Sequence, residues 1–288
     1  MAESPSHKFG QLVGNLLEDI LKPVLKEFCN ERGLYLDIKG QRTGVRSGHK
    51  VTWTDKYGND HDLDFVIEKD GSPKKKGRPV AFIESAWRRY TKHSRNKAQE
   101  IQGAVLPIAD EYEWDKPFLG AVLAGVFTAG SLDQLRSVGF HVLYFPYDSV
   151  VSAFDSVGID AKFDESTPDA AFRHCVNQIE ALSEIDYDKL KGYLAGKEKA
   201  LFDAFLHDLA CVLDRMIDKL VVIPLFGEER VFGSISEAMK FVGEFPEAMD
   251  GGAFRKYEII VKYSNGDTID ASFQDKAAAE RFLRYLSE

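Results

Sequence analysis

The segment HDLDFVIE at residues 61–68, followed by GRPVAFIESAWRRYTKHSRNKAQEIQ at residues 77–102, decides the fold of this chain. Asp64 ends a polar hairpin, and Glu84 lies in an apolar strand that leads into a block of arginines and lysines. Two strands that each end on a carboxylate can bring both acids to one edge of a sheet. Two neighbouring carboxylates repel each other unless a cation lies between them, and Mg²⁺ prefers oxygen ligands of this kind.

Positive charge is concentrated directly around Glu84. Residues 74–97 contain nine Lys and Arg and one acid, so this window carries +8, whereas the rest of the chain carries −17 of the net charge of −9. Such a block can attract a phosphate backbone, although a charge run can also be a solvated face. We expect phosphate contacts from the basic residues in and beside this block: Lys74, Lys75, Lys76, Arg78, Arg88, Arg89 and Arg95.

The composition is that of an ordinary globular protein, with 44% hydrophobic and 29% charged residues among 288. The three cysteines are widely spaced and suggest neither a disulfide framework nor a zinc site. The polar N-terminus lacks an apolar signal region, and the longest apolar run, 118–129, is too short to span a bilayer. We therefore expect a cytoplasmic protein without a membrane partner.

Hydrophobic periodicity predicts alternating helices and strands in the first half of the chain. A helix is expected at 9–33, antiparallel strands at 34–40, 50–55 and 62–68, a buried strand at 80–84, and a helix at 91–109. Buried strands at 118–127 and 140–145 flank a helix at 131–138 with Ser131 as its N-cap. Apolar strands that alternate with helices indicate an α/β sheet covered on both faces.

The second half is predicted to be more helical and then to change character. Helices are expected at 147–154 and 168–184, and a long helical stretch at 186–219. A strand at 220–226, a helix at 234–242, a hairpin of 257–263 with 268–273 around Asn265-Gly266, and a helix at 275–286 would form a small α+β unit.

Hydrolysis of a phosphodiester needs an activated water and stabilisation of the negative charge that develops on phosphorus. Mg²⁺ held by carboxylates supplies much of both, and a nearby lysine adds positive charge. Asp64 and Glu84 provide the acids. Asp62 lies two residues before Asp64 and is either a third ligand or a solvated neighbour. These residues predict a metal-dependent nuclease.

The order of elements resembles the PD-(D/E)XK superfamily of nucleases, which includes many restriction endonucleases. The resemblance covers residues 9–150 and is carried by the strand that ends at Asp64 and the apolar strand that contains Glu84. It implies a restriction-endonuclease-like mixed central sheet flanked by helices, and a Mg²⁺-dependent DNA endonuclease of restriction or anti-phage defence in which Mn²⁺ can substitute. Asp64 and Glu84 match the two acids of the motif.

This chain departs from the motif at Ala86, where the family has a lysine. Some members place this cation on the following helix, where Lys97 and Lys92 are the leading candidates and Arg95 follows. We favour Lys97, because the NKAQEIQ stretch is compatible with a regular helix soon after the strand. Each of these cations could instead simply contact phosphate.

Further candidates come from two helices. In some branches of the family a helix-borne Glu or Gln completes the site, which makes Glu100 and Gln102 secondary candidates. The first helix of similar proteins often contributes a glutamate to the metal, and Glu18 fits by position. Helical periodicity instead places Glu27 closer to the centre of the apolar stripe, so resemblance and periodicity disagree.

The polar loop at residues 41–49 contains Arg42 and Arg46, which could contact base edges in a groove of DNA. We expect a nuclease core at 1–185, a helical extension at 186–219 and the small α+β unit at 220–288. A double-strand cut needs two active sites, which favours a homodimer. The alternatives are a catalytically impaired nucleic-acid-binding module, or a subunit of a larger defence or repair complex with a methyltransferase or ATPase partner.

Overall fold

The protein is described here as a computed structural model. The structure describes residues 4–90, 94–224, 229–246, 248–249, 252–253 and 256–287. The chain divides into two compact units, Met1–Leu209 and Ala210–Glu288. The first unit is an α/β structure in which helices flank a central sheet, as the alternation of apolar strands and helices predicts, and the sheet is mixed.

The first unit begins with a helix and a run of strands, continues with alternating helices and strands, and ends in helices. Its elements are α1 (Pro5–Glu31), β1 (Tyr35–Ile38), β2 (Val51–Thr54), β3 (Asp60–Leu63), β4 (Phe65–Lys69), β5 (Arg78–Arg88), α2 (Ser94–Glu111), β6 (Phe118–Gly125), α3 (Ala129–Ser137), β7 (Phe140–Pro146), α4 (Tyr147–Asp155), α5 (Asp169–Glu180), α6 (Glu184–Lys197) and α7 (Lys199–Leu213), which extends past the boundary between the units.

The central sheet has the strand order β1-β4-β5-β6-β7. The pairs β1–β4 and β4–β5 are antiparallel, whereas β5–β6 and β6–β7 are parallel. In the β4–β5 ladder Phe65 lies opposite Ile83. This register brings Asp64, immediately before β4, beside Glu84 in β5. The separate hairpin β2–β3 packs with α2 and α3 on one face of the sheet, and α1 contacts β5.

The first helix begins and ends beside residues that are typical of helix termini. The Ser4 hydroxyl accepts a hydrogen bond from the His7 N–H, and Pro5 occupies the first turn. Apolar residues at helical spacing are buried along one stripe. Gly33 follows the helix with a φ of +64°, a left-handed conformation that favours glycine. Pro23 lies inside the helix, which continues to Glu31.

Several predicted boundaries differ from those observed. The stretch predicted as helical at 186–219 contains α6 and α7 and then the start of β8 (Ile217–Pro224). The helix expected from 131 starts at Ala129, because the Thr128 side chain accepts the capping hydrogen bond from the Ser131 N–H. Ser131 as the N-cap was therefore wrong. Among the described helices, none has the length and apolar character that a bilayer crossing requires.

The second unit is an α+β structure. It contains β8, β9 (Arg230–Phe232), α8 (Ile235–Glu244), β10 (Ala248–Met249), β11 (Gly252–Ala253), β12 (Tyr257–Tyr263), β13 (Thr268–Phe273) and α9 (Lys276–Ser287). An antiparallel sheet has the order β13-β12-β8-β9. The predicted hairpin of β12 and β13 is confirmed at both strands, with Gly266 at a φ of +89° in its turn.

Candidate active site

Asp64 and Glu84 are neighbours across the β4–β5 pair. The backbone N–H of Asp64 donates to Oε1 of Glu84 over 3.1 Å. The two acids are far apart in the sequence, and the antiparallel register brings them together. The expectation that each ends a strand was inexact, because Asp64 lies between β3 and β4 and β5 continues past Glu84 to Arg88.

Ser85 fixes the orientation of the Asp64 carboxylate. Its backbone N–H and its side-chain hydroxyl both donate to Oδ2 of Asp64, each over 2.7 Å. Ser85 is the middle residue of the Glu84-Ser85-Ala86 tripeptide, so the strand that contributes the second acid also holds the first one. The carboxylate of Asp64 therefore has a defined direction within the site.

Asp64 and Ser85 open onto a pocket with a volume of about 340 Å³. The pocket is also lined by Glu18 of α1, by Ala86 of β5 and by Lys97 of α2, and Glu84 is bonded to the backbone of Asp64. The structure thus brings Lys97 to the place where Ala86 leaves the motif without its lysine. It also places Glu18 in the pocket, whereas Glu27 is exposed elsewhere on α1, so the periodicity argument for Glu27 was wrong.

The two glutamates of this site, Glu84 and Glu18, have pKa values raised above the ordinary value. Burial raises the pKa of Glu84 to about 8, and the adjacent Asp64 carboxylate acts in the same direction, while the Asp64 N–H and the Lys97 charge oppose it. Burial and then Asp64 also raise the pKa of Glu18, against the charge of Lys39. A second ionised carboxylate is therefore unfavourable in this poorly solvated place unless a bound cation offsets its charge.

The donor set fits a hard divalent cation. Asp64, Glu84 and Glu18 offer carboxylate oxygens, which are the ligands that Mg²⁺ and Mn²⁺ prefer. Within the described residues, no group of three or more His, Cys, Asp or Glu side chains is close enough to surround a metal ion. The adjoining pair Asp64 and Glu84, with Glu18 in the same pocket, is therefore the candidate set rather than a closed cage.

Two charged residues border this pocket on the β5–α2 side. Arg88 at the end of β5 lines the pocket, and its Nη2 lies 3.4 Å from Oε2 of Glu100. The Lys97 Nζ lies 3.3 Å from the same oxygen. Glu100 thus pairs with the two cations instead of completing the acid set. Lys92 lies outside the described residues.

Two other secondary candidates face away from the site. Asp62 lies on β3 and accepts hydrogen bonds from Lys50 and from Thr52 of β2, which agrees with the alternative of a solvated neighbour rather than a third ligand. The Gln102 side chain exchanges hydrogen bonds with Gln134 of α3. It packs between two helices because its position on α2 faces α3, and its role as a site residue is not supported by this placement.

Arg42 and Arg46 are not available to DNA, contrary to expectation. Arg42 is 3% exposed and binds both carboxylate oxygens of Glu68, at 2.6 and 2.8 Å, as well as Asp37 at 2.8 Å. Arg46 binds both oxygens of Asp37 at 2.7 and 2.6 Å. These bidentate pairs are internal because buried carboxylates require cationic partners.

The basic loop between β4 and β5 lies at the far end of these strands from Asp64. Six residues of extended chain separate Asp64 from Asp70, roughly 20 Å at about 3.3 Å per residue. Lys74, Lys75 and Lys76 are exposed there, and the Lys76 ammonium also lies 3.7 Å from the centre of the Trp53 ring. The expectation that this charge gathers at the two acids was therefore wrong for the loop.

The other predicted phosphate contacts differ in their surroundings. Arg78 forms an ion pair with Asp115 at 2.9 Å. The Arg89 guanidinium lies 4.3 Å from the centres of the Tyr90 and Phe172 rings, so it packs against α5 rather than in the pocket. Arg95 is exposed on the first turn of α2. Of the predicted cations that the structure describes, Lys97 and Arg88 line the pocket.

Sequence reasoning missed one wall of the pocket. It is formed by α1, and the residues that line it are Ser6, His7, Gly10, Gln11 and Gly14 together with Glu18. Small and polar residues at a spacing of three and four along a helix share one face. That spacing was the available signal, but the apolar stripe of the same helix is stronger. Ser85 was also missed, since nothing in a single sequence marks it.

Comparison with protein-family models gives no match, and comparison with curated proteins gives none. Among solved structures the chain is similar to a crystal structure titled as a protein of unknown function, AF1548, at 12% sequence identity and a TM-score of 0.28. The similarity covers 65% of this chain and 99% of the other. At this TM-score it supports no conclusion about fold family or activity.

Proposed function

We propose that the protein is a Mg²⁺-dependent endonuclease that hydrolyses phosphodiester bonds in DNA, with a restriction-endonuclease-like first unit. The observation that carries this proposal is the pairing of Asp64 with Glu84 across β4 and β5, beside a pocket that Lys97 lines. The strand order β1-β4-β5-β6-β7, with its mixed antiparallel and parallel pairs, is compatible with such a fold.

Each residue of the site has a chemical role in this proposal. Asp64 and Glu84 would hold Mg²⁺, for which Mn²⁺ could substitute, and Glu18 in the same pocket would be a further ligand. The bound ion supplies positive charge for the scissile phosphate and lowers the pKa of a water molecule. Ser85 keeps the Asp64 carboxylate in its direction. Lys97 orients the attacking water and offsets the charge that develops on the phosphate oxygens.

Arg88 has a separate role at the rim of the pocket. Its guanidinium can donate two hydrogen bonds to one phosphate, which favours binding of the backbone of the cleaved strand. The exposed Lys74 and Lys75 lie too far from the acids to take part in the chemistry. They are proposed to contact phosphates further along a bound duplex.

The biological role that fits this activity is restriction or another form of anti-phage defence in the cytoplasm. Cutting both strands of a duplex requires two active sites, so a homodimer is proposed. A methyltransferase or an ATPase is a further proposed partner, and cutting could depend on its presence. DNA repair is the second biological role that we propose.

A second candidate is a binding module on a nuclease fold that has lost its activity. Ala86 favours it, because this residue is 5% exposed and occupies the position at which the motif has its lysine. Lys97 in the same pocket argues for retained activity. The two candidates differ in whether DNA is cut or only bound.

The experiment that separates them compares the wild type with Asp64→Asn and Glu84→Gln on plasmid and phage DNA, methylated and unmethylated. Cleavage is followed on gels with Mg²⁺, with Mn²⁺ and with EDTA. The wild type should cut only with a metal ion, and each substitution should lower the rate on the order of 10³-fold, because the metal-assisted step loses a ligand.

Asp62→Asn is the matched control, because Asp62 lies two residues from Asp64 but bonds to β2. It should cut at nearly the wild-type rate. DNA that is shifted but never cut, with binding unchanged in Asp64→Asn, would establish the binding module instead. Cutting that survives EDTA, or that Asp64→Asn leaves intact, would refute the proposed site.

A further inference from the structure

One face of α1 is exceptional in its composition. His7, Gly10, Gln11 and Gly14 follow one another at helical spacing and all line the pocket beside Asp64. The opposite side of the helix is buried and apolar. The face that meets the pocket thus combines two polar side chains with two positions that have no side chain.

The backbone does not explain the two glycines. Neither Gly10 nor Gly14 has a positive φ, and a glycine inside a helix costs about 1 kcal/mol relative to alanine. A Cβ atom at Gly14 would meet no atom within 4 Å beyond the helix's own backbone, and one at Gly10 would meet Cδ1 of Trp87 at an ordinary 3.6 Å. Packing does not require glycine either, so the missing side chains leave room in the pocket.

The polar groups around this room suit a nucleotide. The side chains of His7 and Gln11 lie one turn apart, with their Nε2 atoms separated by 3.5 Å, and both carry hydrogen-bonding groups for sugar or base edges. Arg88 and Lys97 bring positive charge to the same pocket for phosphate. Its volume of about 340 Å³ is at the lower end for ligand sites, which is sufficient for one nucleotide unit and not for a base pair.

We infer that the α1 face of His7, Gly10, Gln11 and Gly14 binds one nucleotide of the cleaved strand, next to the scissile phosphate. Gly14 provides the space, Gln11 and His7 contact the sugar or base, and Arg88 contacts the adjoining phosphate. This inference rests on the proposed endonuclease activity. It also makes two claims of its own: single strands or splayed ends enter the pocket more readily than paired DNA, and these four residues of α1 determine binding rather than chemistry.

The test fills the pocket by Gly14→Leu and compares it with Asn15→Leu, which adds the same side chain at an exposed position of α1. Gly14→Ala and Gln11→Ala are milder variants. Each is assayed for cleavage of short single-stranded and duplex oligonucleotides with Mg²⁺, and for binding of the labelled oligonucleotides with Ca²⁺. Thermal unfolding and circular dichroism report on the fold.

Gly14→Leu should be at least as stable as the wild type, because leucine is the better helix former. It should nevertheless cut and bind on the order of 10²-fold less well, since the nucleotide is displaced. Gln11→Ala should raise KM and leave kcat nearly unchanged. Asn15→Leu should match the wild type, and the single strand should bind more tightly than the duplex.

The outcomes separate this inference from the proposed function. If the wild type cuts DNA and folded Gly14→Leu cuts equally well, the α1 subsite is refuted and the endonuclease remains. If the wild type binds DNA without cutting it, the binding of folded Gly14→Leu decides instead. Equal binding refutes the α1 subsite, and weaker binding supports it. If the wild type neither cuts nor binds DNA, the function and the subsite both fail.

Discussion

The two ends of β4 carry acids in opposite situations. At its C-terminal end, Glu68 is fully buried and binds Arg42 bidentately, and Asp37 beside it binds Arg42 and Arg46. At its N-terminal end, Asp64 and Glu84 lie next to each other, and burial with mutual repulsion raises the pKa of Glu84 to about 8. One end has its charges compensated by arginines, whereas the other has acids crowded beside an open pocket.

This difference distinguishes a structural cluster from a functional one. Although burial itself lowers the pKa of Arg42, its hydrogen bonds and charge contacts with Glu68 and Asp37 raise that pKa above its ordinary value. The Arg42 guanidinium also donates to the carbonyls of Ser72 and Lys75, which ties the basic loop to the sheet. At the Asp64 end, Glu84 instead holds its proton, because a second negative charge beside Asp64 is unfavourable, and such perturbed acids are typical of functional sites.

The largest effect is expected for a substitution that breaks the arginine–carboxylate cluster at the C-terminal end of β4. Arg42→Ala should lower the free energy of unfolding by about 3–5 kcal/mol, because it leaves Glu68 buried without its partner. Urea unfolding followed by circular dichroism measures this. Arg136→Ala, which removes an exposed pair with Asp133, should change stability by less than about 1 kcal/mol. Equal small losses of unfolding free energy for the two variants would show that the buried cluster of Arg42 contributes no more to stability than an exposed ion pair.

The pH dependence of stability should show whether the two ends of β4 differ in the protonation of their acids. The pKa of Glu84 is raised in the folded protein, so this group binds more protons folded than unfolded, and its contribution to stability is lost as pH rises from about 4.5 to about 8. Without metal, the Tm of the wild type should fall over this range more than that of Glu84→Gln. Added Mg²⁺ should reduce the fall.

Thermal unfolding at several pH values, with EDTA and with Mg²⁺, checks this prediction. Glu84→Gln should equal or exceed the wild type in Tm near pH 8, because the amide can still accept the Asp64 N–H without a buried charge. A parallel pH dependence for the two proteins would mean that Glu84 is ionised in the fold at neutral pH, and the contrast between the two ends of β4 would be lost.

Lys97 should affect catalysis more than binding. Lys97→Met is expected to lower kcat about 10²-fold with little change in KM for DNA, because its charge is used as the phosphate develops negative charge. Arg95→Met is the matched control, since Arg95 lies on the same turn of α2 and is exposed. A rise in KM with unchanged kcat would make Lys97 a phosphate contact instead.

The proximity of Asp64 and Glu84 could be predicted because it depends on local rules. Two apolar strands joined by a turn-rich loop pair antiparallel, and alternation then places the residues at their shared end together. Lys97 was expected from the resemblance, in which the missing cation lies on the following helix, and it lines the pocket. The alternation of buried strands and helices predicted an α/β sheet covered by helices, whereas its mixed strand directions were expected from the resemblance.

The remaining features depend on contacts between distant residues. Arg42 reads as a polar loop residue, and its partner Glu68 is known only once β1 and β4 pair. The sequence KDGSPKKKGRP reads as an exposed loop, but Gly77 donates its N–H to Glu68 over 2.6 Å. Periodicity also merged α6, α7 and the start of β8 into one stretch, since helical spacing alone does not mark a break.

Ser85 should have the smallest effect among the site residues and yet a specific one. Ser85→Ala removes the hydroxyl bond to Oδ2 of Asp64 and keeps the backbone bond, so activity should fall about 10-fold, as for residues that orient metal ligands. The loss should be largest at low Mg²⁺ and decrease as Mg²⁺ is raised, because a loosely held carboxylate binds the ion more weakly. Ser85→Thr should restore most of the activity. Ser137→Ala, which removes a hydroxyl bond on α3, should behave as the wild type. If Ser85→Ala lost activity equally at all Mg²⁺ concentrations, Ser85 would act on the fold or the substrate rather than through Asp64.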